Sequence, residues 1–164
     1  PSGGPVVRTD IVDVYVFRRA GGRIQFLQLL RASAPLDKTW HPVMGHVEKG
    51  ERAWECALRE LEEEIGLSSA SPDLVGLWAL EQTHPYYIAN LDQIIISPRF
   101  AAEVPSTWEP KMNDEHSSCR WVDASDARDR FMWPGQAACC AEVVNYIATD
   151  SFAKPHLKVA IPGR

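Results

Sequence analysis

The sequence lacks any long hydrophobic run, and no stretch approaches the about 18 consecutive apolar residues that a membrane-spanning helix needs. Residues 1–10 also lack a basic region followed by an apolar one, so we expect no secretory signal peptide. The first absence argues against a membrane-spanning helix. The content of 45% hydrophobic and 24% charged residues is instead typical of a soluble globular chain.

Cysteines and histidines at the spacings typical of metal sites are also missing. No CxxC pair is present, and no histidine has a companion at HxxxH spacing, so the sequence indicates no zinc site. A disulfide scaffold of this length would be richer in cysteine. We therefore expect a cytoplasmic protein with four reduced, mostly buried thiols, namely Cys56, Cys119, Cys139 and Cys140.

Positive charge is in deficit. The chain carries 17 Lys and Arg residues against 22 Asp and Glu residues, a formal net charge of -5. A general nucleic-acid binder normally has the opposite balance, because neutralised phosphates supply most of its affinity. The acidic balance permits a small nucleotide substrate in a local positive pocket, and it suits cation binding. We expect no nucleic-acid polymer and no membrane as partner, and the pattern leaves the oligomeric state open.

The chain has the length of one ordinary domain, and its periodicities predict a mixed α/β fold. Apolar alternation predicts a strand over residues 11–18, which a turn at Gly21-Gly22 joins to a second strand over 24–30. Further strands are predicted over 74–82, 88–100 and 118–122, with loops over 32–44 and 102–114. We find no internal linker, so residues 1–164 are expected to form a single domain.

Two helices are predicted. Residues 52–64 are rich in good helix formers, and Gly66 follows as a natural C-terminal stop. A final helix is expected from Pro134 or Gly135 to Ala148, since proline suits the first turn. The tail over 149–164 shows no clear period.

The first predicted helix has an apolar stripe and an acidic face. A helical wheel places Trp54, Leu58, Leu61 and Ile65 on the stripe that should face the core. Three glutamates lie together on the neighbouring face, beside the small residues Ala53, Cys56 and Ala57, and these glutamates are Glu60, Glu63 and Glu64. Like charges within one turn repel each other unless a positive group lies among them. The acidic face is therefore either simply solvated or holds a hard divalent cation.

Residues 45–67 read GHVEKGERAWECALRELEEEIGL. This segment resembles the box of the Nudix family, G-x5-E-x7-R-E-U-x-E-E-x-G-U, in which U is a bulky aliphatic residue. Every specified position matches, and the matching residues are Gly45, Glu51, Arg59, Glu60, Leu61, Glu63, Glu64, Gly66 and Leu67. The resemblance implies a Nudix α/β/α sandwich, with a mixed sheet between helices, over about residues 6–148. The tail lies outside it.

The resemblance also implies a chemistry. Nudix enzymes hydrolyse a nucleoside diphosphate linked to another group, with Mg²⁺ or Mn²⁺ neutralising the charge that develops as water attacks phosphorus. Carried over, the metal ligands are Glu60, Glu63 and Glu64. An ion pair between Glu51 and Arg59 would orient them.

Further roles extend this expected site. The backbone carbonyl near Gly45 is a further candidate metal ligand. Trp40 begins a W-x-x-V-x-G-x-V-E segment that resembles the bacterial branch cleaving dATP and dihydroneopterin triphosphate. That branch also has a Glu-His pair shortly before a strand ending in Trp-aliphatic-Asp, and here Glu115 and His116 precede Arg120-Trp121-Val122-Asp123. The family often places a catalytic or metal-binding glutamate on this loop, so Glu115 is the candidate general base or additional ligand.

Four residues are candidates for substrate binding. Arg31 ends the second predicted strand, where related enzymes often keep a phosphate-binding arginine, and Lys38 follows in the loop before the box. Tyr86, with Tyr87 and Trp108, could form a stacking wall for a purine or pterin ring, and His116 could contact phosphate. Trp40 is expected to pack beneath the box turn as structure.

Three functions stay open at this stage. The leading one is a Mg²⁺-dependent pyrophosphohydrolase that converts a nucleoside triphosphate-like substrate, of the dATP or dihydroneopterin triphosphate type, to a monophosphate and pyrophosphate. The second is a Nudix pyrophosphatase for ADP-ribose or a dinucleoside polyphosphate. The third is a binding module that keeps the fold without catalysis.

Overall fold

A mixed β-sheet lies between two helical layers, and the alternating segment that begins at Ile11 is its central strand. The structure is a computed structural model that describes residues 3–164. Its strands are β1 Val6–Arg8, β2 Ile11–Ala20, β3 Arg23–Arg31, β4 Trp40–His41, β5 Val43–His46, β6 Gly76–Ala79, β7 Tyr86–Ile88, β8 Gln93–Ile95, β9 Arg99–Glu103 and β10 His116–Asp123. Its α-helices are α1 Ala53–Ile65, α2 Ala127–Arg130, α3 Pro134–Glu142 and α4 Lys154–Leu157.

The larger sheet has the order β10-β3-β2-β9-β6, with β4 paired to β3 and β5 paired to β2. The pair β2 and β9 is parallel, whereas the other pairs are antiparallel. A smaller sheet has the order β1-β8-β7. In the larger sheet β5 runs beside the start of β2 and places the beginning of the 45–67 segment directly next to α1.

The period of two along β2 sends alternate side chains into two cores. Val12, Val14 and Val16 pack with the buried face of α1. Tyr15 and Phe17 point to the opposite face and pack under α2 and α3. Because both faces of β2 are covered, the strand is buried from Val12 to Phe17.

Helix α1 begins and ends as its sequence indicates. The Arg52 backbone N–H donates to the Glu55 carboxylate at 2.7 Å. At the other end Gly66 has a φ of 71° and its N–H donates to the Glu62 carbonyl, while Leu67 N–H donates to the carbonyl six residues back. This is the Schellman arrangement that a C-terminal glycine permits.

The buried face of α1 differs from the predicted stripe. Cys56 and Ala57 are fully buried together with Leu61 and Ile65, whereas Trp54 and Leu58 are only partly buried at the margin of the core. Small side chains let the helix backbone approach the sheet closely, so Cys56 and Ala57 form part of the main packing surface of α1.

Several predicted boundaries are wrong. The predicted loop over 32–44 contains β4 and the start of β5, and the strand predicted over 74–82 shortens to β6. The strand predicted over 88–100 breaks into the end of β7, a 3₁₀ turn, β8 and the start of β9, since Asp92 adopts a left-handed φ of 48° and Pro98 lacks an N–H for a ladder.

The C-terminal part also departs from expectation. The predicted final helix is α3 followed by a π-helical segment over Val143–Ile147. The tail forms the short helix α4, and the Val159 N–H then donates to the Leu77 carbonyl at 2.8 Å. The tail therefore packs onto β6. No helix in residues 3–164 is long and apolar enough to cross a bilayer.

A buried ion pair lies under α3, on the face of the sheet opposite α1. Arg99 Nε is 3.1 Å from Asp13 Oδ2, and Arg99 Nη1 donates to the Gly135 carbonyl at 3.2 Å. Both side chains are almost fully buried. Burial raises the pKa of Asp13 to about 6, although the Arg99 guanidinium opposes that shift.

Candidate active site

The site is built where β5 crosses the acidic face of α1. Gly45 lies directly against Glu60, and a Cβ at position 45 would overlap the carboxyl group of that side chain. Only glycine leaves this space free. The contact keeps the Glu60 carboxyl group, which is 8% exposed, beside the β5 backbone.

Glu64 lies one turn further along α1 and is 4% exposed. Its Oε2 accepts the Met44 backbone N–H at 3.3 Å. Burial raises the pKa of Glu64 to about 9, and the negative charges of Glu60 and Glu115 act in the same direction. Because burial and neighbouring negative charges disfavour the carboxylate form of Glu64, a nearby cation would stabilise that form.

The start of β10 brings a third carboxylate to this place from about fifty residues downstream. Glu64, Glu115 and His116 each offer one ligand atom, and these three atoms lie within 4.8 Å of one another. The pairing of His116 with Arg31 in the β10–β3 ladder sets the position of this loop. The Asn113 N–H, which donates to the Glu64 carbonyl at 3.2 Å, ties the loop to the end of α1.

Arg59 braces the acidic face. Its Nε and Nη2 donate to the two carboxylate oxygens of Glu51 at 2.8 and 3.0 Å, and its Nη1 donates to Glu60 at 2.7 Å. Nη2 also donates to the His46 carbonyl at 2.9 Å. The guanidinium lowers the pKa of Glu51 through these hydrogen bonds. Glu63 has a 56% exposed side chain and contacts Arg59 at 3.2 Å, so it lies on the solvent side of the cluster.

Two buried histidines lie beside the carboxylates. The rings of His41 and His116 have centroids 5.0 Å apart, and each residue is 7% exposed. His116 Nδ1 lies 3.2 Å from Asn113 Oδ1. Burial, with the charges of His41 and Arg31, lowers the pKa of His116 to about 4.

Sequence reasoning missed three of these contributors. His41 lies only four residues before the 45–67 segment, but no spacing signal singles it out. The Met44 contribution is a backbone N–H, which no side-chain motif records. Asn113 was detectable in principle, because it stands directly before Asp114, Glu115 and His116.

The predicted substrate-binding residues are only partly brought together. Arg31 lies beside His116, but Lys38 is an exposed loop residue with a left-handed φ of 62°. Tyr86 lies on β7 of the small sheet, whereas Trp108 packs against the core under α1. The aromatic wall of Tyr86, Tyr87 and Trp108 stays a prediction. The Arg120 guanidinium lies over the Trp40 ring, with its Cζ 4.0 Å from the ring centroid.

The donor set fits a divalent cation. The carboxylates of the buried residues Glu60 and Glu64 lie near the exposed Glu115, and the Arg59 guanidinium is already engaged by Glu51. Hard divalent ions prefer such carboxylate oxygens.

The model of the NUDIX domain matches residues 7–142. The chain belongs to the Nudix family. This match confirms the resemblance of the 45–67 segment, the predicted α/β fold class and the prediction of a Nudix pyrophosphohydrolase. Members of this family generally use divalent metal ions, in agreement with the acidic cluster.

The matched region covers a different share of each of two curated relatives. An octanoyltransferase from Myxococcus xanthus is 30% identical over 133 residues, which cover 80% of this chain but 35% of that protein. The chain therefore spans about a third of that relative. An asymmetrical bis(5'-nucleosyl)-tetraphosphatase from Caenorhabditis elegans is 29% identical over 113 residues, 68% of this chain and 77% of that protein.

A solved structure supports the fold. The dihydroneopterin triphosphate pyrophosphohydrolase of E. coli superposes with a TM-score of 0.71 at 23% identity, covering 87% of this Nudix chain and 99% of that one. At this identity the likeness concerns the fold, in which a mixed sheet lies between helices.

Proposed function

We propose that this Nudix protein hydrolyses a nucleoside triphosphate-like substrate, of the dATP or dihydroneopterin triphosphate type, to a monophosphate and pyrophosphate in the presence of Mg²⁺ or Mn²⁺. The observation that carries the proposal is the convergence of Glu64 and Glu115 beside Glu60 and Gly45. A bound divalent ion would supply Lewis-acid stabilisation for the negative charge that develops on the phosphate oxygens.

The proposed roles follow from the placement of each group. Glu60, Glu63 and Glu64, with the Gly45 carbonyl, would hold the ion. Glu115 is exposed at the end of the cluster, where water can reach it. Its carboxylate would take a proton as the water oxygen bonds to phosphorus and the bridging phosphorus–oxygen bond breaks.

The remaining polar residues would position the reactants. Arg59, held by Glu51, keeps the Glu60 carboxylate in place. Arg31 lies next to the cluster and would contact a phosphate. Lys38, in an exposed loop, and Tyr86, on β7, would contact the outer parts of a bound substrate. In this scheme the chain's own cations bind the phosphates while its carboxylates hold the ion and the attacking water.

A second candidate substrate is a dinucleoside polyphosphate. The relative from Caenorhabditis elegans, 29% identical, carries the name bis(5'-nucleosyl)-tetraphosphatase. Both candidates need the same carboxylates and differ in what lies beyond the cleaved phosphate. Product identification separates them: pyrophosphate with a monophosphate indicates the first, and two nucleotides indicate the second. The same panel includes ADP-ribose, and silence across it favours a binding module.

The roles are tested with Glu64→Gln. We expect turnover to fall by at least about 100-fold, because the buried ligand loses its charge. The melting temperature should not fall, because burial raises the pKa of Glu64 to about 9 and a neutral amide suits that environment. Glu62→Gln, on the exposed face of the same helix, is the matched control. Full turnover by Glu64→Gln, with unchanged metal affinity, would exclude Glu64 as a ligand.

A further inference from the structure

An imidazole nitrogen lies among the carboxylates of the cluster. The ligand atoms of Glu64, Glu115 and His116 lie within 4.8 Å of one another. Metal–nitrogen and metal–oxygen bonds of about 2.1 Å allow two ligand atoms on one ion to be about 4.2 Å apart at most. Side-chain shifts of about half an ångström would therefore bring all three onto a single ion.

The hydrogen bonds of Asn113 determine which nitrogen of His116 is free. The Glu115 backbone N–H donates to Asn113 Oδ1 at 3.2 Å, which identifies that atom as the oxygen. His116 Nδ1 lies 3.2 Å from the same oxygen and must donate to it. In a neutral imidazole this leaves the lone pair on Nε2. Histidines that bind metals typically donate their other ring N–H to such an acceptor.

The ring is held in place before any ion binds. His116 is 7% exposed and packs against the His41 ring, with centroids 5.0 Å apart and the ring planes tilted by 48°. His41 Nδ1 lies 2.6 Å from the Pro42 carbonyl, and this contact orients the neighbouring ring. Since little rotamer freedom remains for His116 to lose, binding through Nε2 costs little ordering entropy.

We propose that His116 is a nitrogen ligand of the ion held by Glu64 and Glu115, so that this site selects an imidazole-binding ion of the Zn²⁺ or Co²⁺ class over Mg²⁺. The proposal rests on the proposed function for Glu64. It takes Glu115 as the additional ligand, which is the alternative to its role as general base, and it adds His116 as a nitrogen ligand. It replaces the expected contact of His116 with substrate phosphate.

The chemical consequence is a change of metal preference. Mg²⁺ is a hard ion that takes carboxylate oxygens and water and gains little from imidazole. Zn²⁺ and Co²⁺ bind imidazole well. At sites with nitrogen and oxygen ligands their affinities are higher than those of Mn²⁺ and Fe²⁺. An imidazole added to the carboxylates of the site therefore favours these ions, whereas a site of oxygens alone leaves Mg²⁺ competitive.

The test uses the full chain without substrate. Co²⁺ is titrated and followed by its visible d–d absorption, and Mg²⁺ and Zn²⁺ are titrated by calorimetry. The nitrogen ligand is detected directly as ¹⁴N modulation in the pulsed electron paramagnetic resonance signal of bound Mn²⁺. The variants are His116→Gln and, as matched control, His156→Gln, which alters an exposed histidine on α4.

We expect ¹⁴N modulation in the wild type and in His156→Gln, and its loss in His116→Gln. The Co²⁺ affinity of His116→Gln should fall by about 10- to 100-fold while its Mg²⁺ affinity changes by less than about threefold. Wild-type Mn²⁺ without ¹⁴N modulation would overturn the proposal even if the variant did not fold. An equal loss of Co²⁺ and Mg²⁺ affinity in His116→Gln would also overturn it.

Failure of the proposed function has a different signature. If the wild type bound no divalent ion, or if Glu64→Gln left every metal affinity unchanged, the carboxylate assignment itself would fall. If Glu64→Gln abolished binding and His116→Gln did not affect it, only the nitrogen ligand would be refuted.

Discussion

Gly45→Ala tests the contact on which the acidic site is built. Position 45 has no left-handed φ, so alanine imposes no backbone strain there. The added Cβ would instead lie more than about 1 Å inside the ordinary carbon–carbon distance of about 3.5 Å from the Glu60 carboxyl group. Either β5 or the Glu60 side chain must therefore move by about 1 Å.

The two possible costs of this movement differ in size. The clashing group is the end of a side chain that can rotate, so the free energy of unfolding should fall by no more than about 1–3 kcal/mol. Rotation of Glu60 breaks its 2.7 Å hydrogen bond with Arg59 and displaces a proposed metal ligand. Misplacing such a group by 1 Å can cost about 100-fold in rate, and we expect a loss of that order.

The assay is the steady-state turnover of the substrate that the product panel identifies, together with metal titration and urea unfolding. Gly135→Ala is the matched control, since its Cβ would lie 3.1 Å from Arg99 Nη1 and needs only a small adjustment. In a double variant with Glu60→Asp, the shorter side chain makes room, so the two losses should be less than additive. Full turnover and metal affinity in Gly45→Ala would refute the reasoning.

Two further predictions concern arginines that form ion pairs with carboxylates, namely Arg59 with Glu51 and Arg99 with Asp13. Arg59→Lys keeps the charge but loses the two-pronged hydrogen bonding to Glu51, so turnover and metal affinity should fall by about 10- to 100-fold. Arg99→Met leaves the Asp13 carboxylate buried without its partner, which should cost about 3–5 kcal/mol of unfolding free energy at pH 8. Burial raises the pKa of Asp13 from its ordinary value of 3.8 to about 6, so folding takes up a proton between these two pH values. The contribution of Asp13 to stability is therefore full below about pH 4 and is lost as the pH rises to 6.

Exposed arginines supply the controls for both. Arg52→Lys, just before α1, should leave turnover unchanged. Arg19→Met removes an ion pair with Glu103 in which the arginine side chain is 46% exposed, so it should cost at most about 1 kcal/mol at any pH. Urea unfolding at pH 5 and pH 8 measures the loss of stability in Arg99→Met. If Arg99→Met were as stable at pH 8 as at pH 5, the buried carboxylate would not be the cause.

The local elements were predictable because their signals lie within a few residues. Alternation along β2 and the glycine that ends α1 act over two to six positions, and both elements form where these patterns indicate. The longer predicted strand over 88–100 was wrong because composition alone does not show where the chain turns. Asp92 in a left-handed conformation ends one strand there, and Pro98 precedes the next.

Part of the site was predictable from helix geometry. Residues 59, 60, 63 and 64 must lie on adjacent positions of one helix, so the approach of Arg59 to neighbouring glutamates follows from the sequence. Their burial does not follow. Glu64 and Glu60 are buried because β5 crosses that part of α1, whereas Glu63 points away from the strand and stays exposed. The wheel alone treats the three as equals.

The sequence by itself determined the family, the two periodicities and the acidic helix face, since all of these depend on spacing within one continuous segment. Only the tertiary structure decided which groups meet Glu64. Glu115 and His116 reach it through the β10–β3 ladder, and His41 meets His116 from β4, which pairs with the opposite edge of β3. Strand register is a relation between distant segments, set by how both faces of the sheet are buried, and no single segment contains it.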